Sequence, residues 1–286
     1  MSRPMAYLRP STLQEALSLL DELGSQAAVL AGGTDLLVEA RQGKLKASCF
    51  VDIGGIEELK AVELRGSEVR LGAGVSFSEI VSSQLLKEHA PVLVQAASTV
   101  GSPQIRNVAT VGGNVVHCSP CADSVPALLV HEARAVLRSS KGSREVPLES
   151  FLLGPYRSAI GSGEILTEFV LKSLSGLWAS FQKVARRREL AIARLSLAVV
   201  AQTVEGVFAS MRIALGSATP APKRMSRVEE FLLGRAAKES NLWEAGRILA
   251  QEMIGASGIR ASTAYKEKAV QGLLVRSLFP LMSHET

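Results

Sequence analysis

Two glycine pairs, in LAGGTD (30–35) and TVGGN (110–114), each follow directly on an apolar run. Adjacent glycines leave the main chain bare, so another group can approach its N–H donors closely. A fold for this chain must therefore supply two such approaches, about 80 residues apart. The apolar runs are short, and none that is free of charge approaches the roughly 20 residues a bilayer requires. Hydrophobic residues make up 47% and charged residues 21% of 286, which excludes a disordered chain and allows one large domain or two or three smaller ones. The positive mean hydropathy then points to apolar surface for partner subunits.

The order of patterns predicts a mixed chain. STLQEALSLLDELG (11–24) reads as a helix with a Ser11/Gln14 capping box and Gly24 as its stop. AAVLAGG is a short strand, TDLLVEARQG a helix closed by Gly43, and SCFVDI a second strand. AVELRGSEVRLGAG predicts a hairpin, and SFSEIVSS a helix opened by Ser76 and Glu79. LLKEHAPVLVQAAST is helical, with Pro91 as a break or a new start. PQIRNVATVGGNVVHCSPCADSVPALLVHEA reads as loop that becomes helical late, followed by strands in ARAVLRSS, SREVPL and EILTEFVL. SFQKVARR, LSLAVVAQTV and VFASMRIALG are antiparallel strands, SATPAPKR a breaker loop, and 226–234, 239–254 and 262–279 helices. Boundaries are expected at 1–55, 56–175 and 176–286.

Bare amides at both glycine pairs, with the hydroxyls of Thr34 and Thr110, could hold a pyrophosphate. Asp35 and Asn114 could bond ribityl or ribose hydroxyls. Spacing alone favours two tight turns in an α/β protein. Neither site carries G-x-G-x-x-G, and no P-loop occurs, which disfavours an ordinary dinucleotide-binding dehydrogenase.

The combination of LAGGTDLL (30–37), QIRNVATVGGNVVHCSPCADSVPALL (104–129), GEILTEF (163–169) and FQKVARRRELAIA (181–193) resembles the FAD-binding medium subunit of the molybdenum hydroxylases, the xanthine dehydrogenase and carbon monoxide dehydrogenase family. The resemblance extends into GIRASTAYKEKAVQGLLVRSL (258–278) and covers almost the whole chain. It implies an α+β fold: a two-lobed FAD-binding α/β region (PCMH-type) over 1–55 and 56–175, then a C-terminal domain of a three-stranded antiparallel sheet and a helical bundle. It implies FAD contacts from Ala31, Gly32, Gly33, Thr34 and Asp35, flanked by Leu30 and Leu36. On the second segment it implies Thr110, Gly112, Gly113, Asn114 and Val116, with Asp123, Leu166 and Lys183 beyond. Lys183 beside the ring would stabilise reduced anionic flavin. Val100 stands where xanthine dehydrogenases carry a ring-stacking aromatic residue, which leaves the stacking partner open.

An iron–sulfur cluster typically takes four cysteine ligands, and this chain has three cysteines. On the family reading, [2Fe-2S] centres and molybdopterin are expected only on partner subunits: a small iron–sulfur subunit and a large molybdopterin-binding subunit. The expected role is electron relay, from iron–sulfur centres through non-covalent FAD to NAD or another acceptor, with no acid–base catalyst on this chain. A free-standing FAD-dependent oxidase or dehydrogenase and a flavin-less scaffold subunit are the alternatives.

Other features carry less. CSPC (118–121) has redox or metal spacing and His117 beside it, but without a second cysteine pair it falls short of a zinc set. His89, His131 and His284 read as surface or satisfied histidines, and Trp178 and Trp243 as anchors of the C-terminal domain or of an interface. Arg106 orients the glycine segment, touches a phosphate or forms a salt bridge; RRR (186–188) steers an anionic nucleotide, docks an acidic partner or is solvated. Scattered positive charge (net +5) and 5% aromatics do not support nucleic-acid binding. The N-terminus shows no apolar signal core, so the cytoplasm is expected.

Overall fold

The computed structural model describes residues 6–187 and 190–282; His284 and Arg188 lie outside them. The first unit is β1 (Ala6–Leu8), α1 (Leu13–Leu23), β2 (Ala27–Leu30), α2 (Leu36–Arg41) and β3 (Cys49–Asp52), with a parallel sheet ordered β1-β3-β2. Helix α1 is capped one residue later than Ser11/Gln14 predicts. Thr12 accepts from the Glu15 N–H at 3.2 Å, and the Glu15 carboxylate accepts from the Ser11 N–H at 2.8 Å. With Thr12 as the N-cap, Glu15 rather than Gln14 stands at the third helical position, where a side chain can turn back to the free N-terminal N–H groups. Leu13, Ala16, Leu17 and Leu20 bury the inner face of α1 on Val51 and Ile53.

The second unit opens with the hairpin β4 (Val62–Arg65) and β5 (Glu68–Gly72). Helices α3 (Phe77–Ser82), α4 (Gln84–His89) and α5 (Pro91–Ser98) follow, with the Ser76/Glu79 box intact and Pro91 at the first position of α5. Next come α6 (Pro103–Val108), α7 (Val111–Val116) and α8 (Ser124–Val130). The unit closes with β6 (Arg134–Ser139), β7 (Gly142–Pro147), α9 (Leu148–Phe151), β8 (Leu152–Gly154), β9 (Arg157–Ser158) and β10 (Ile165–Lys172). Its antiparallel sheet runs β4-β5-β10-β6-β7. The stretch expected as loop thus contains two helices, and the second glycine pair lies inside α7. Tertiary packing outweighs glycine's poor helix propensity there.

The third unit is β11 (Trp178–Ala185), β12 (Ala193–Val204), β13 (Val207–Gly216), β14 (Lys223–Arg224), α10 (Ser226–Leu232), α11 (Glu239–Ser257) and α12 (Thr263–Leu278). Its antiparallel sheet has four strands, not three, because Lys223–Arg224 in the expected breaker loop pair with Ala214 and Leu215. Strand β12 is buried on both faces. Leu195, Leu197, Val199 and Ala201 join the core beneath α10–α12, while Ala198 and Val200 join the core around α5 and α8. That explains a nearly continuous apolar strand where one-sided burial would give alternation. Trp178 anchors the last helix by donating from Nε1 to the Ser277 carbonyl at 2.9 Å. Trp243 is half-exposed and donates to Glu239. Among the described residues no helix is long and apolar enough to cross a membrane.

Candidate functional site

A cleft of about 420 Å³ opens between the first two units, a size typical of small-ligand sites. Both glycine pairs line it, and the structure gives them different work. The Ala31–Leu36 segment runs from the end of β2 into α2. The N–H groups of Gly32, Gly33, Thr34, Asp35 and Leu36 donate to no acceptor among the described residues. Such a run of free amides beside a cleft suits an anion. A Cβ on Gly32 would collide with the Val108 carbonyl and stand 2.7 Å from its carbon and 2.9 Å from Ala109 Cα. Glycine there lets the two units touch, main chain against main chain.

The second pair is zipped to the end of β5. Phe77 N–H donates to Ala109 O (3.1 Å), Val111 N–H to Val75 O (3.0 Å) and Gly112 N–H to Ala73 O (2.9 Å). Gly113 N–H donates to Thr110 Oγ1 at 3.1 Å, because Thr110 caps α7. The expectation that both pairs offer amides to one diphosphate is therefore corrected: residues 112 and 113 spend theirs internally. A Cβ on Gly112 would stand 2.6 Å from Ala73 Cβ. On Gly113 the nearest atom is Thr110 Oγ1 at 3.0 Å, and Gly113 is exposed on the cleft wall. Its lack of a side chain leaves space in the cleft itself, which fits a bound dinucleotide.

Of the residues predicted from sequence, Ala31, Gly32, Gly33, Thr34, Asp35, Leu36, Thr110, Gly112, Gly113, Asn114, Val116 and Leu166 come together on this wall. Asn114 Oδ1 accepts from buried Ser124 Oγ at 2.6 Å, which orients its amide. Leu30, Asp123 and Lys183 are not on the wall. Leu30 turns into the protein at the end of β2. The Lys183 ammonium donates to Asp123 Oδ2 at 2.5 Å and to the Thr99 carbonyl at 3.0 Å. Both side chains are nearly inaccessible, and Asp123 Oδ1 has no partner among the described residues. Burial pushes the Asp123 carboxyl above its usual range, against the opposing pull of Lys183 and Thr99. Lys183 thus ties β11 to the backbone next to Val100 through Thr99 and Asp123.

Sequence reasoning passed over Glu39, Phe77, Ile160 and Glu164, and considered His117 only as a metal ligand; all five line the cleft, as does Val100. Arg106 donates to the carbonyls of Val100 (3.0 Å) and Gly101 (3.4 Å), so of its possible roles the structure gives it the orienting one. Cys118 is buried, points its Sγ at the Val115 carbonyl, and has its thiol pushed up to about 11 by burial. No group able to hold a metal ion occurs among the described residues.

The family model for the FAD binding domain in molybdopterin dehydrogenase matches residues 3–171, and that for the CO dehydrogenase flavoprotein C-terminal domain matches residues 180–280. The chain is 32% identical over 275 residues to the nicotinate dehydrogenase FAD-subunit of Eubacterium barkeri, covering 93% of this chain and 92% of that one. It is 30% identical over 269 residues to the xanthine dehydrogenase FAD-binding subunit of Escherichia coli O157:H7, with the same two coverages, 93% and 92%. A chain of carbon monoxide dehydrogenase from Hydrogenophaga pseudoflava superposes with a TM-score of 0.90 at 28% identity, over 99% of this chain and 100% of that one.

Proposed function

The chain belongs to the FAD-binding medium subunits of the molybdenum hydroxylase family, and from that premise we propose that it is the electron-relay component of a larger complex. It receives electrons from iron–sulfur centres on a small partner subunit and delivers them to NAD or another acceptor. A large partner subunit holds molybdopterin. The names "FAD-binding subunit" and "medium chain" among its relatives support a division of labour between polypeptides. Bound FAD supplies the chemistry, taking electrons singly and passing them on singly or in pairs.

The chain's own task is to bind and orient. The observation that carries this reading is the run of five free amides, from Gly32 to Leu36, lining one cleft together with the exposed Gly113. The amides hold the diphosphate; Thr34, Asp35 and Asn114 bond sugar hydroxyls; Val116 and Leu166 exclude water from the ring. Residues 1–55 and 56–175 act as the two jaws, and 176–286 as the support behind the second jaw.

Purification from the native host, with flavin, iron and molybdenum assays, tests the reading. One non-covalent FAD per chain is expected, with iron and molybdenum travelling on co-purifying subunits. A colourless chain, or substrate turnover by the isolated chain, would refute the relay role.

A further inference from the structure

The titratable side chains lining the cleft are Asp35, Glu39, Glu164 and His117, and no lysine or arginine stands on the wall among the described residues. That is an unusual balance for a site taking a doubly charged diphosphate. Glu164 is neutralised from behind, since Arg144 donates to its two oxygens at 2.6 and 2.7 Å. Asp35, just before α2, and Glu39, on it, are half-exposed, and among the described residues His117 is the basic side chain within 4 Å of their carboxylates. Its Nε2 lies 3.8 Å from Asp35 Oδ1 and its Nδ1 3.9 Å from Glu39 Oε1. The imidazole extends from the C-terminal end of α7, so it joins one jaw to the other. It meets the Tyr156 ring edge-on, with centroids 5.2 Å apart. Lys44 lines a small adjoining cavity with Asp35, Glu39 and Tyr156, and the neighbouring Cys118 thiol is turned away toward Val115.

We propose that His117 is the proton-linked positioning residue of the cleft: it takes up a proton when a dinucleotide diphosphate binds, and so neutralises the Asp35 and Glu39 carboxylates that flank the amide run. This rests on the FAD-binding reading above. Histidine is the side chain whose charge changes between about pH 5 and 8, while an internal diphosphate keeps its charge across that range. The proton comes from solvent and stays on the imidazole, between the two carboxylates. Without it, the anion would meet two half-exposed carboxylates with solvent as their main screen.

The test is titration of the apo full-length chain with FAD from pH 5.5 to 8.5, in buffers of differing ionisation heat. A single linked proton weakens affinity by at most about tenfold per pH unit. A fall of fivefold or more between pH 6 and pH 8 is expected, with proton uptake on binding. His117→Gln should bind more weakly at pH 6, show a flat pH profile and take up no proton. Glu39→Gln should bind more tightly than wild type at pH 8 and slope less, which keeps the proposal testable should the His117 variant misfold. ADP-ribose, a diphosphate without the flavin ring, should show the same slope. Equal slopes in wild type and His117→Gln, a flat wild type, or a slope absent with ADP-ribose would each overturn the proposal. Failure to bind FAD at any pH would overturn the underlying reading as well, and is distinguished by the absent binding signal itself.

Discussion

Alanine at each member of the second glycine pair separates packing from ligand approach. In Gly112→Ala the new Cβ meets Ala73 Cβ at 2.6 Å and the Ala73 carbonyl oxygen at 2.7 Å. That carbonyl also accepts the Gly112 N–H, so relief of the clash stretches the bond that pins α7 to β5. Overpacking of this kind costs about 1–3 kcal/mol, and the weakened hydrogen bond about 1 more. The thermal midpoint should drop by about 5–10 °C, whether or not flavin is present. In Gly113→Ala the only neighbour is Thr110 Oγ1 at 3.0 Å. A small shift of that hydroxyl is offset by up to about 1 kcal/mol of helix propensity, so the apo protein should keep its stability. Its new methyl group projects into the cleft, and FAD affinity should fall at least tenfold, about 1.4 kcal/mol. Differential scanning fluorimetry of apo protein and flavin-quenching titrations give the two readouts. An unchanged FAD affinity in Gly113→Ala, or a Gly112→Ala variant as stable as wild type, would refute the reasoning.

Three further outcomes are expected. His131 is fully buried, and burial holds its pKa down to about 4 despite the Lys172 carbonyl that its Nδ1 bonds. Because the folded value lies below the unfolded one, stability should drain away as pH falls from about 6.5 toward 4, by up to about 3 kcal/mol, and His131→Asn should flatten that part of a urea-midpoint profile. Lys183→Met should cost about 3–5 kcal/mol at neutral pH by stranding the buried Asp123 carboxylate. Since that carboxyl is already raised, the loss should shrink as pH falls and it takes up a proton, and the added change Asp123→Asn should recover most of it in equilibrium unfolding. Trp178→Phe removes the bond to Ser277 and should cost about 1 kcal/mol, seen as earlier melting of the C-terminal helices by hydrogen exchange.

Much of the secondary structure was legible because it is written in local chemistry. The Ser76/Glu79 box, Pro91 at a helix start and the two-residue turn between β4 and β5 announce themselves at short range. What failed depends on partners distant in sequence. Helix α7 holds two glycines that ought to break it, and it survives because residues 109–112 are stitched to 73–77. Strand β14 is two residues long and exists only against β13. At the site, the glycine segments were readable but their division of labour was not: which amides remain free is decided by Ala73 and Thr110. The Lys183–Asp123 pair was not readable, because nothing in FQKVARRR reveals Asp123, 60 residues earlier.

The burial of β12 on both faces has a consequence for how this chain can be cut or varied. Its alternate residues answer to separate interiors, so the strand is a partition with a tenant on each side. Truncation after the second unit would strip the apolar flanks of α5 and α8 rather than release a finished module. Substitutions at 198 or 200 should be felt on the cleft side, and those at 197 or 199 beneath the terminal helices. Tolerance to new sequence should therefore concentrate at the exposed hairpin tip between β12 and β13, where Val204 and Glu205 already face water.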